Sequence, residues 1–231
     1  MAGAPPRPAR FIAQTELDGA LDALCARDPR LAAARAASEP PQPRALAPDL
    51  SGLVWVVNSQ LISVAAARAI HGRLETALGR IDHASLSAAS DETIRAAGLS
   101  RPKLRTVRAL CAAVDAGLDV PGLERLDDGE ARARLVAIPG VGPWTADVFL
   151  LFAHGRADVF PAGDLAVQEA MRRALGLPAR PDARAAERIA EDWRPLRGVA
   201  ARLLWAYYLT RRGGRDRAPA PHAPETLEET A

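Results

Sequence analysis

Along the chain, apolar residues recur three and four positions apart, and Pro and Gly break the recurrence at intervals. Residues with this spacing meet on one face of a helix, so the pattern predicts a succession of helices. The first two run from Glu16 to Cys25 and from Pro29 to Ala37, with Asp28 as N-cap of the second. A proline-rich connection, Ser38 to Pro48, follows. Leu53 to Leu61 is strongly apolar, and Val64 to Leu78 continues as an amphipathic helix capped near Ser63. Next come Asp91 to Ala97, ended by Gly98, and Arg101 to Ala116, set between Ser100 and Gly117. Asp127 or Asp128 caps a helix running to Ala137, and another runs from the IPGVGPW turn through His154. Asp164 to Ala174, Asp182 to Trp193 and Leu196 to Arg211 complete the set. Val54 to Val57 is apolar and β-branched enough for a strand but has no partner run, so the fold class expected is all-α. Residues 1–12 and 212–231, rich in Pro, Gly and charge, are expected to be unstructured.

Composition narrows the functional classes. With 231 residues, 48% of them hydrophobic, the chain can bury a core and divide into two lobes. The net charge of +2 is too small to identify a polyanionic partner. Cys25 and Cys111 form no ligand-spaced group, which argues against an iron–sulfur cluster or structural zinc. His71, His83, His154 and His222 are scattered, as packing or surface residues are. No G-x-x-x-x-G-K-S/T loop appears, so no nucleotide or redox cofactor is implied. The chain has neither an apolar signal core nor a bilayer-length run, and the expectation is a cytoplasmic protein, nucleoid-associated if bacterial.

The most informative stretch is Leu135 to Phe152, LVAIPGVGPWTADVFLLF, which reads as helix, tight turn, helix. Gly140 and Gly142 permit positive φ and close backbone approach, and Pro143 suits the first turn of the second helix. The N–H groups around Gly140, Val141, Gly142 and Thr145 would then converge on one phosphate. Such contacts position a nucleic acid without reading its sequence. An ordinary helix–helix turn has the same pentapeptide, so the turn by itself leaves both readings open.

The longer segment, Ile138-Pro139-Gly140-Val141-Gly142-Pro143-Trp144-Thr145-Ala146, resembles the hairpin of the helix-hairpin-helix DNA glycosylase superfamily. Three further segments agree in order. Ser59-Gln60-Leu61-Ile62-Ser63-Val64 is similar to the family's Q-x-I/V-S-V helix start, with Asn58-Ser59 replacing a more usual Gly or Gln. The run FPAGDLAV, from Phe160 to Val167, resembles the family's loop with its downstream aspartate and places Asp164 20 positions after Trp144. Trp193-Arg194-Pro195 followed by Trp205 is similar to the C-terminal W-x-P…W segment of the bacterial 3-methyladenine DNA glycosylase II branch. Together the resemblance spans roughly residues 28–209.

The resemblance implies two helical lobes with a cleft between them, one from 13–62 and 165–211 and the other from 63–164, in a compact form without an added β domain. It implies a monomer acting on double-stranded DNA that contains damaged bases. Asp164 is the implied catalytic carboxylate, stabilising an oxocarbenium-like sugar and orienting water; N-cap of the following helix is its other reading. Asp147 is expected to be solvated or near DNA, and Asp158 to be a loop or capping residue. The family's lyase members carry a lysine where this chain has Trp144, and Lys103 is its sole lysine, so hydrolysis without strand cleavage is expected. Trp144 and Trp205 are the implied walls of a base pocket, with Trp55 and Tyr208 as further candidates and core packing as the other reading of Trp55 and Trp193. Leu61 matches the family's wedge, which fills the gap left by a flipped base, and Gln60 is placed to contact neighbouring bases. A hairpin cation, Na+ or K+, would sit on the carbonyls of Val136, Ile138 and Val141. The implied reaction is excision of alkylated purines; deaminated or oxidised bases, or DNA binding without catalysis, are the alternatives.

Overall fold

The computed structural model describes residues 10–11, 13–43 and 46–211. The two expected unstructured termini lie almost wholly outside these residues, as does His222. Twelve α-helices form among the described residues, and their only extended pairing is a single bridge between Arg10 and Arg156. The first two helices are α1 (Gln14–Arg27) and α2 (Pro29–Ala36). Asp28 caps α2 by accepting from the Arg30 N–H, and its other oxygen accepts from the Trp193 indole at 3.1 Å. Hydrogen bonding to Arg30 holds this carboxyl down at about 2.

Val54 to Val57 lies inside a helix, α3 (Leu50–Ser59), and is fully buried there. Burial on every side explains the unbroken apolar run that resembled a strand. The chain continues through α4 (Val64–Leu78), α5 (His83–Ala88), α6 (Asp91–Ala96) and α7 (Arg101–Asp115). Ser63 caps α4 as expected, whereas Ser100 occupies the cap position of α7 without a side-chain bond. The six-residue α5 has too few residues to display a period and has no counterpart in the sequence reading. Then come α8 (Asp128–Val136), capped by Asp127, and α9 (Pro143–Phe152). The last three are α10 (Leu165–Ala174), α11 (Ala183–Ala190) and α12 (Arg197–Arg211).

Packing sorts these helices into two groups. Helices α1, α2, α10 and α12 pack on one another, while α3 packs against α4, α7 and α9. The expected division at residue 62 would leave α3 with the first group, although its packing partners belong to the second. Two buried arginines tie loops to this frame. Arg156 donates to the carbonyls of Leu123 and Leu126 and pairs with Asp128 at 3.0 Å. Arg202 donates to the carbonyls of Gln42 and Leu151, and burial pulls its pKa down to about 9.

Candidate active site

The hairpin between α8 and α9 closes through the Val141 N–H, which donates to the Ile138 carbonyl at 3.0 Å. Gly140 takes φ +88°, and a Cβ added there would run into the Thr106 hydroxyl of α7. A side chain is therefore excluded twice, by backbone conformation and by space. Gly142 differs from expectation: its φ is −86° and it serves as N-cap of α9, with open space around it. Its hydrogen is needed for neither reason. Pro143 opens α9 at a position where its missing N–H has no intrahelical partner to lose.

Asp164 sits at the N-terminus of α10, 6% exposed. Its Oδ1 accepts from the N–H groups of Ala166 and Val167, each at 2.9 Å. Its Oδ2 accepts from the Trp144 indole N–H at 2.8 Å. The helix cap and the expected catalyst are thus the same carboxylate, and the two readings of Asp164 are compatible. Burial raises its pKa above the ordinary carboxylate range, and the three N–H donors oppose that rise. The Trp144 contact joins the first turn of α9 to the first turn of α10, so the hairpin and the carboxylate form one unit.

The other candidates separate into two classes. Trp144 is half-buried beside Asp164, and Trp205 packs against Phe152 with ring centroids 4.9 Å apart. Tyr208 is also half-buried, on α12. Trp55 is 2% exposed and meets His71 edge-on at 5.1 Å, which puts it in the core rather than on a cleft wall. Trp193 is likewise buried. Asp147, expected to be solvated or near DNA, is buried and pairs with Arg132 at 2.6 Å. Burial outweighs that partner and raises the Asp147 pKa to about 6. Asp158 accepts from the Arg197 backbone N–H at the start of α12 and pairs with Arg194 and Arg197.

Leu61 has φ +59° and is fully exposed, projecting from the turn between α3 and α4. Gln60 donates to the Thr145 hydroxyl at 2.8 Å, and its amide nitrogen lies 3.5 Å from the Gly140 carbonyl. Lys103, which sequence reasoning assigned no site role, donates to the Asn58 carbonyl at 2.6 Å. Leu165, directly after Asp164, is 61% exposed and lies off the buried face of α10, which carries Val167, Ala170 and Met171. Among the described residues, no group of three or more His, Cys, Asp or Glu side chains could hold a metal ion. The carbonyls of Val136, at the end of α8, and of Ile138 and Val141 are hard oxygen donors of the kind a monovalent cation takes. No helix among the described residues is long and apolar enough to cross a membrane.

Residues 54–195 match the family model described as HhH-GPD superfamily base excision DNA repair protein. A Mycobacterium tuberculosis relative, named as a probable bifunctional transcriptional activator/DNA repair enzyme AlkA, is 37% identical over 169 aligned positions, and the match covers 66% of this chain. The chain spans about a third of that relative's length, the match covering 32% of it. The crystal structure of a DNA-3-methyladenine glycosidase from Bacillus halodurans is similar with a TM-score of 0.72 at 31% identity, covering 84% of this chain and 91% of that one. A Schizosaccharomyces pombe 3-methyladenine DNA glycosylase in complex with abasic DNA is similar with a TM-score of 0.67 at 26% identity, covering 82% and 95%. The hairpin and its downstream aspartate lie inside the matched segment, and the chain belongs to the HhH-GPD superfamily of base excision DNA repair proteins.

Proposed function

We propose that the chain is a monofunctional DNA glycosylase that flips alkylated purines of the 3-methyladenine type out of duplex DNA and hydrolyses their N-glycosidic bond. The observation that carries this reading is the Asp164 carboxylate, buried and fixed by three N–H donors beside the hairpin. A fixed anion in a low-dielectric site stabilises positive charge developing on the sugar without reorganising at the moment of reaction. Protonated Asp164 cannot do this, so base release falls as pH drops through its raised pKa.

The phosphate grip rests on the backbone N–H groups of Gly140, Gly142 and Thr145, since the Val141 N–H, expected from sequence to join them, is spent on the Ile138 carbonyl; a cation on the hairpin carbonyls would add charge there. Trp144 and Trp205 supply electron-rich faces for a cationic base. Trp144 stands where a lyase would need an amine, and the Lys103 amine is engaged at the end of α3. The relatives' names, which specify 3-methyladenine, support the substrate class.

The test uses methylated duplex DNA followed by alkali, which converts abasic sites to breaks. Breaks are expected with the native protein and are lost in Asp164→Asn while duplex binding persists. Binding without base release would leave only a DNA-binding protein. Breaks before alkali would refute the monofunctional assignment.

A further inference from the structure

We propose that Gln60 is a positioning residue, a strut that ties the wedge turn to the phosphate-gripping hairpin. The turn from Gln60 to Ser63 separates α3 from α4. Leu61 at its tip is fully exposed, so no lateral packing holds it. The restraints lie at the base of the turn. Asn58 staples its two sides by donating to the Ala67 carbonyl at 2.8 Å, and Lys103 of α7 donates to the Asn58 carbonyl. Gln60 adds the link to the hairpin, through the buried Thr145 hydroxyl and toward the Gly140 carbonyl. Both partners of its amide nitrogen belong to the hairpin. The amide nitrogen is thereby committed within the protein. Gripping the backbone at Gly140 therefore fixes where Leu61 stands.

The proposal rests on the glycosylase reading, and two measurements separate them. The first places 2-aminopurine beside a stable abasic analogue in duplex DNA and reads its fluorescence at saturating protein, where affinity drops out. The second compares base release from a paired lesion with release from a lesion opposite an abasic gap. Gln60→Ala and Thr145→Val each remove the same hydrogen bond, worth about a fivefold effect. Each should shrink the fluorescence response, and each should slow the paired substrate about fivefold more than the gapped one. The double variant should be no worse than the poorer single one. Thr145→Ser, which keeps the hydroxyl, should restore both readouts. Equal losses on both substrates, additive losses, or a Gln60→Ala effect that follows flanking base identity with Thr145→Val silent would overturn the strut. If the native protein releases no base from either substrate, the glycosylase reading fails, and the fluorescence response still decides the strut.

Discussion

Replacing Trp144 by Phe keeps an aromatic face and deletes one N–H. The deleted group donates to Asp164 Oδ2 at 2.8 Å, while the two backbone donors on Oδ1 remain. A hydrogen bond to a charged group contributes about 1.5–3 kcal/mol. Its loss favours the protonated form and raises the Asp164 pKa further, so base release at a pH on the acid limb should fall by about tenfold or more. The direction follows because the indole bonds the ionised form, and without it burial acts with less opposition. The assay is single-turnover base release from methylated duplex across pH, with Asp164→Asn as the inactive reference. The acid limb of Trp144→Phe should move to higher pH. An unmoved or lowered limb would refute the assignment of that limb to Asp164.

Gly140→Ala should destabilise the fold by about 2–5 kcal/mol, from positive φ and the collision with Thr106, and urea denaturation measures it. Leu61→Gly should stabilise by about 1 kcal/mol, because it relieves φ +59° at a side chain that packs on nothing, while slowing base release from paired duplex. Asp147 has its folded pKa raised to about 6 from an ordinary 3.8. Below about pH 4 both states hold the proton and its contribution is fully present; it is lost as pH rises to about 6, at a cost of roughly 3 kcal/mol. Asp147→Asn should flatten the fall in stability across that window, and an unchanged slope in denaturation curves would count against the burial argument.

Much of this fold was legible because helix starts carry local chemistry. Asp28, Ser63, Asp127 and Asp164 each cap the helix they precede, and each was readable from residue type and neighbours, except that the choice between Asp127 and Asp128 stayed open. The hairpin was legible for the same reason, since Gly140 and Pro143 answer to backbone constraints. What was not legible depends on contacts distant in sequence. Asp147 looked like any polar residue on a helix until α8 buried it beside Arg132. Lys103 and Gln60 meet their partners 45 and 85 positions away, and no local pattern announces such meetings. Trp55 and Trp144 are both tryptophans in apolar surroundings, and only packing separates a core ring from one bonded to a carboxylate.

On the glycosylase reading proposed above, the exposed Leu61 side chain has a thermodynamic consequence for lesion search. Free protein leaves its whole apolar surface hydrated, and moving a leucine out of water is favourable by about 1.5–3 kcal/mol. Unstacking a base step costs a few kcal/mol, least where pairing is already damaged. Dehydration of one side chain would therefore offset much of that cost at a weakened pair and less of it at an intact one, and on that reading intrusion into sound duplex would stay brief.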